Sequence, residues 1–272
     1  MQMKTTRDFA LGVAREAGQL LLRYARQGYE VGHKSTDIDL VTEADLASEE
    51  MIVKSIREQY PDHTILSEEG LGDLQKIAGG TTCLWLVDPL DGTVNYAHGF
   101  PVWGVSLALA DHGTVVLAVT YDPLQDEMFW AERGEGAWLE GQRLQVSQAE
   151  ELRQSLVATG FAYKRATLED NNLAEFDAMM PQVQGVRRAG AAVLDMAYLA
   201  AGRLDGYWEM HLKPWDWAAG WLLIEEAGGK VTDLEGKPWS LEKEAIAASN
   251  GALHETLLET LQAARHSQTK DA

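Results

Sequence analysis

The chain has 272 residues, 46% of them apolar, enough to form one large core or two smaller ones and too apolar for disorder. Forty-two acidic residues against 23 basic ones leave a formal charge of −19, a surface that repels nucleic acid and anionic membranes. The single cysteine, Cys83, excludes an intramolecular disulfide and fits a reducing cytosol.

The opening residues Met1-Gln-Met-Lys lack the apolar segment of a signal peptide, so a cytoplasmic location is expected. Phe9, Val13, Ala17, Leu20, Leu21 and Tyr24 recur at helical spacing over residues 7–27, and Gly28 is a natural stop. Thr42-Glu-Ala-Asp45 has the form of a capping box, opening a helix with Leu46, Val53 and Ile56 inward and Pro61 beyond its end. Thr64-Ile-Leu-Ser predicts a brief strand ending in Glu68-Glu69, and residues 71–80 read as an exposed loop. Trp85-Leu-Val predicts a buried strand that should break at Asp88-Pro89, because proline has no backbone donor.

The apolar region from Phe100 to Tyr121 is interrupted by Asp111-His112-Gly113, so it reads as two strands and a tight turn rather than a membrane span. Short strands continue at 127–131, 136–139 and 156–160. Helices are predicted over 171–180, ending at Pro181, and over 193–201, ending at Gly202. After a strand at 205–210, Asp216 reads as the N-cap of a helix that closes on Gly228-Gly229. Strands at 230–233 and 245–248 and a helix at 253–264 complete the chain, with a polar, frayed tail from His266. The whole reads as α+β, with a seam near residue 150 between two closely packed halves, 1–150 and 151–272.

Asp88 and Asp91 stand three residues apart at a strand end, with Gly92-Thr93 following. Carboxylates held close repel and raise each other's pKa. A divalent cation removes that cost, and the Leu90 carbonyl between them can add to the all-oxygen shell that magnesium prefers. A polar turn accounts for this pair equally well on its own. Likewise Glu68-Glu69 can be turn acids, Asp216 a cap, Asp45 the partner of Thr42, and Thr93 a cap for the segment after it. Together, these strand-end and helix-start acids are the set a two-metal phosphate site needs, with ions roughly 3.5–4 Å apart. If the amides after Asp91 open a helix, they can receive phosphate oxygens.

The combination of Asp39-Leu-Val-Thr-Glu-Ala-Asp45, Glu68-Glu69-Gly70, Trp85-Leu-Val-Asp-Pro-Leu-Asp-Gly-Thr93, Trp215-Asp-Trp-Ala-Ala-Gly and Glu226-Ala-Gly-Gly229 resembles the inositol monophosphatase family, from about residue 8 to 262. That resemblance implies a layered α/β/α/β/α sandwich of the sugar phosphatase type and a magnesium-dependent, lithium-sensitive phosphomonoesterase, in which a metal-activated water attacks inositol monophosphate directly. It implies Glu68, Asp88, Asp91, Asp216 and the Leu90 carbonyl as Mg2+ ligands, with Glu68, Asp45 and Thr93 activating the water. Gly92 and Thr93 would bind phosphate, and Gly190, Ala192, Glu209 and Asp216 would meet the substrate. Ala191 departs from the family, which usually has a hydroxyl residue there. A homodimer is implied as well, with a small phosphate ester as ligand and neither nucleic acid nor membrane as partner. The alternatives are the same chemistry on histidinol phosphate, fructose 1,6-bisphosphate or a nucleotide phosphate, or a non-catalytic regulatory binding protein.

Other chemistries lack their residues. The seven histidines show no zinc-hydrolase spacing. Gly104-Val-Ser-Leu-Ala108 misses the second glycine of a serine-hydrolase elbow, and Gly134-x-Gly136 the third of a dinucleotide fingerprint. The nine tryptophans read as core and interface, and Arg187-Arg188 as a solvated loop, a phosphate contact or a subunit contact.

Overall fold

The computed structural model describes residues 3–70, 82–238 and 240–271, and the loop expected over 71–80 lies outside them. Strands β1 (Val31–His33) and β2 (Leu40–Thr42) form a small ribbon between helices α1 (Met3–Gln27) and α2 (Glu43–Gln59). Seven strands then build one sheet: β3 (Thr64–Ser67), β4 (Cys83–Asp91), β5 (Gly104–Asp111), β6 (Thr114–Asp122), β7 (Glu127–Glu132), β8 (Gly136–Leu139) and β9 (Gln142–Arg143). They lie side by side in chain order; β3 runs parallel to β4, and every later neighbour is antiparallel. The turn between β5 and β6 has His112 and Gly113 both at positive φ, the conformation a two-residue hairpin loop requires.

The second sheet has five strands, β10 (Leu156–Thr159), β11 (Gly185–Arg187), β12 (Gly206–Met210), β13 (Lys230–Thr232) and β14 (Ala245–Ser249), in the order β11-β10-β12-β14-β13. A five-residue helix α3 (Thr93–Ala97) follows β4. Helices α4 (Leu173–Met179), α5 (Ala192–Ala200), α6 (Pro214–Glu226) and α7 (His254–Asp271) accompany the second sheet.

Strand alternation creates the layers. On β4, Trp85 and Val87 join Val105, Leu107 and Leu109 beneath α1 and α2, while Leu84 and Leu86 face the opposite way. There they meet Met196 of α5 and Trp217, Leu222 and Leu223 of α6, whose other side packs on Tyr207 and Ile246 of the second sheet. The far face of that sheet, with Val157, Trp208 and Ala247, is covered by Met179 of α4 and Leu257 and Leu261 of α7. The order is therefore α/β/α/β/α. Among the described residues no helix is long and apolar enough to cross a membrane.

Four local expectations are corrected. Strand β4 does not stop at Asp88-Pro89 but continues to Asp91. Its register jumps from Asp88 opposite Ser106 to Asp91 opposite Gly104, so one extra residue bulges out, and Pro89 lies in that unpaired stretch where no donor is needed. Leu46 points outward, 52% exposed. The inward stripe of α2 is Asp45, Ser48, Ile52 and Ile56, polar at the end near the site, where Ser48 donates to the Pro89 carbonyl at 2.9 Å. Asp216 is not the N-cap of α6: Lys213 holds that position, Pro214 follows, and the Asp216 carboxylate accepts the Lys213 amide at 2.7 Å. The tail is helical through Asp271, anchored by Arg265, whose guanidinium bonds both Asp170 oxygens at 2.8 and 2.7 Å.

His254, at the start of α7, is buried between the hydroxyls of Thr232 and Ser249. Burial, with Lys230 nearby, lowers its pKa from the ordinary 6.5 to about 4. Between those values the unfolded chain binds the proton and the folded one does not, so His254 removes stability as pH falls through that window. Thermal melts of wild type and His254→Asn from pH 7 to 4 are expected to show a shallower acid decline in the variant. Identical slopes would contradict this.

Candidate active site

Parallel pairing of β3 and β4 sets Ser67 opposite Val87, so the two strands deliver Glu68 and Asp88 at the same edge. The Glu68 amide bonds the Val87 carbonyl at 3.1 Å. The bulge that follows turns Asp88 and Asp91 to one side, with the Leu90 amide donating to Asp88 Oδ1 at 3.1 Å. From the helical layer between the sheets the start of α6 presents Asp216, and from the second sheet the end of β12 presents Glu209. Glu68, Asp88, Leu90, Asp91, Asp216, Glu209, Gly92, Thr93, Gly190 and Ala192 all line one cavity of about 480 Å³. Asp45 stands one step behind: its Oδ1 accepts the Thr93 hydroxyl at 2.9 Å, while its Oδ2 accepts the Thr42 amide at 2.8 Å. The capping-box reading and the site reading of Asp45 thus hold together. Thr93 is no cap, because Gly92 occupies the N-cap of α3.

The cavity is electrostatically uncomfortable. Burial, then Glu68, Asp91 and Asp216, push Asp88 well above the carboxylate range; burial, then Glu68, do the same to Asp216. Asp91 is pushed up to about 8 by burial, against the amide that it accepts from Val193. Lys34, from the loop between β1 and β2, answers part of this negative charge, with its Nζ 2.8 Å from Glu68 Oε1 and bonded also to Glu69. Among the described residues no three acids yet converge as a metal-binding group. Glu68 is shared between Lys34 and a hydrogen bond with Asp88. Carboxylates from the first sheet and from α6, raised by burial first and then by one another, form with a backbone carbonyl an all-oxygen set that fits a hard divalent cation.

Small residues shape the cavity. Gly92 sits at φ +88°, and a Cβ there would meet the Val102 carbonyl at 2.9 Å. A Cβ on Gly160 would lie 2.1 Å from the Glu209 carboxylate, so that acid packs directly on bare backbone while accepting the Tyr207 hydroxyl. Burial raises Glu209 to about 7. Ala191, where a hydroxyl was expected, is the N-cap of α5 and caps nothing with its side chain. Asp91 does that work instead, its Oδ2 accepting the Val193 amide at 2.8 Å. Asn95 ties the same turn to α3 by donating to the carbonyls of Val102 and Ala189 at 2.7 and 2.8 Å.

Sequence reasoning missed Lys34, Tyr163 and Asp195 and left Arg188 undecided; all four line the cavity. Tyr163 is 38% exposed where it borders the cavity. Only Asp195 had a local signal, a lone acid inside the apolar run of α5.

Fold and cavity together define a layered protein of the sugar phosphatase type. A family model described as "Inositol monophosphatase family" matches residues 2–266. The chain is 44% identical over 263 residues to a Pseudomonas aeruginosa protein called Nus factor SuhB, covering 96% of this chain and 97% of that one. It is 40% identical over 261 residues to inositol-1-monophosphatase of Synechocystis sp., covering 96% and 90%. The solved structure of inositol monophosphatase from Anabaena (Nostoc) sp. matches with a TM-score of 0.86 at 42% identity, over 96% of this chain and 97% of that one. The chain belongs to the inositol monophosphatase family.

Proposed function

We propose that the protein is a magnesium-dependent phosphomonoesterase that hydrolyses inositol monophosphate to inositol and phosphate. The observation that carries this reading is that Glu68, Asp88, Leu90 and Asp91 from the edge of the first sheet and Asp216 from helix α6 all border one cavity. In this reading those five hold Mg2+. The bound ions would make a water acidic and offset the charge of the phosphate.

The chain's own residues supply the rest. The Thr93 hydroxyl donates to Asp45, which turns its lone pairs toward the cavity, where they can accept a proton from the attacking water and pass one to Asp45. Glu68 would help to orient that water. Amides of Gly92 and Thr93 hold phosphate oxygens. Gly190 and Ala192 give close backbone approach to the alcohol, and Glu209 accepts its hydroxyls. Release of phosphate from a panel of small phosphomonoesters with magnesium tests the reading. Glu209→Gln is expected to weaken inositol 1-phosphate turnover by roughly the 1.5–3 kcal/mol of a charge-assisted hydrogen bond and to leave magnesium affinity unchanged. A variant that loses nothing on this substrate would remove Glu209 from the account. Lithium inhibition and a homodimer belong to the same proposal.

A second reading is favoured by the Pseudomonas aeruginosa relative's name, Nus factor SuhB: a regulatory protein with protein partners. Retained cellular function in an Asp88→Asn strain without phosphatase activity would support that reading.

A further inference from the structure

Asp195 is used by none of the roles above. It lies in the run Ala-Val-Leu-Asp-Met-Ala-Tyr-Leu-Ala of α5, is 3% exposed, and borders the cavity. No hydrogen bond to its carboxyl group is found among the described residues, and its oxygens are not among the fully buried atoms left without a partner, so they open onto the cavity. A buried acid without a partner is costly, and natural cores seldom keep one without a reason. The helix start gives only part of that reason. A negative charge is favoured there, but Asp91 already takes the Val193 amide and the Ala191 carbonyl takes that of Asp195 itself.

The groups that Asp195 feels are Glu209, Asp91 and Arg188. Glu209 is fixed by Tyr207 and by the bare backbone of Gly160. Arg188 lies across Gly190, its Nη1 2.5 Å from where a Cβ would stand, and acts on Glu209 as well. Two carboxyl groups and one guanidinium therefore share this wall. Carboxylates accept hydrogen bonds from hydroxyls, and a guanidinium donates to hydroxyl oxygens. That alternation suits neighbouring hydroxyls of a polyol ring and offers nothing to an apolar alcohol.

We propose that Asp195 is a specificity-determining residue of this cavity, binding a hydroxyl of the substrate's alcohol beside those met by Glu209 and Arg188. The proposal rests on the phosphomonoesterase reading and adds the group that selects the alcohol.

The test compares wild type with Asp195→Asn and Asp195→Leu on inositol 1-phosphate and on phenyl phosphate, whose alcohol carries no further hydroxyl. Thermal melts and calorimetric magnesium titration are run alongside. Both variants are expected to raise KM for inositol 1-phosphate about tenfold with little change in kcat, and to stay within about twofold of wild type on phenyl phosphate. Melting temperature is expected to hold or rise in the leucine variant, since it removes an unpaired buried acid, and magnesium affinity to stay the same. Equal losses on both esters would mean a structural role and overturn the proposal, as would no loss on either. If wild type cleaves phenyl phosphate but not inositol 1-phosphate, the inositol reading fails and this proposal with it. If wild type cleaves both and the variants match it, the proposal fails alone.

Discussion

Asp88→Asn is expected to abolish phosphate release, by about a thousandfold or more, in a protein that stays folded. Asp88 is 1% exposed and stands among Glu68, Asp91 and Asp216, each of which raises its pKa. Asparagine keeps the shape, so β4 and its bulge should survive. It removes a charge, however, and with it the ligand expected to hold the cations. Relief of the repulsion also predicts that the variant, free of magnesium, melts no lower than wild type. Wild type should gain melting temperature on adding magnesium, because a ligand that binds only the folded state stabilises it, and the variant should lose most of that gain. A single series of melts and phosphate assays reads both effects. A variant that keeps a tenth or more of wild-type turnover would show that Asp88 is not central.

Gly92→Ala carries the second large effect. At φ +88° an L side chain is strained, and here a methyl group would also stand 2.9 Å from the Val102 carbonyl, 3.2 Å from Trp103 and 3.3 Å from Ala191. The loss of stability is expected to be about 1–3 kcal/mol. The loop must shift to make room, carrying Asp91 and Thr93 with it, and misplacement by about 1 Å can cost on the order of a hundredfold in rate. Gly113→Ala serves as the control. Gly113 has a similar φ of +78° with nothing within 4 Å, and it lies in the hairpin turn between β5 and β6. It should lose stability and keep its activity per folded molecule. Equal losses of activity in the two variants would contradict the local account.

What the sequence made legible was chiefly local. The capping box at Thr42, the hairpin at His112-Gly113 and the stop at Gly228 are each set by neighbouring residues, and each stands in the structure. The errors at Pro89 and Leu46 come from tertiary pairing, and the one at Asp216 from a local helix start. Pro89 looked like a strand breaker because its missing donor matters only if a partner strand needs it, and the bulge removes that need. Leu46 looked inward because it is apolar, but the phase of α2 is set by Asp45 and Ser48 facing the site. Asp216 looked like a cap because an acid before a helix usually is one, yet Pro214 starts the helix earlier. Lys34 reaches Glu68 across 34 residues, and nothing in Gly32-His-Lys-Ser signals that contact. Asp91 caps α5 across 102 residues, so Ala191 at the N-cap needs no side chain of its own to do so.

The central claim, a magnesium-dependent phosphatase for inositol monophosphate, is tested most directly by following phosphate release from inositol 1-phosphate by the purified protein. The assay is run with excess chelator, with magnesium restored and with calcium in its place, beside histidinol phosphate, fructose 1,6-bisphosphate and NADP. The expected result is no turnover with chelator, recovery with magnesium better than with calcium, and preference for inositol 1-phosphate. Robust turnover in excess chelator, or a preference of about tenfold for any of the other three esters, would contradict it.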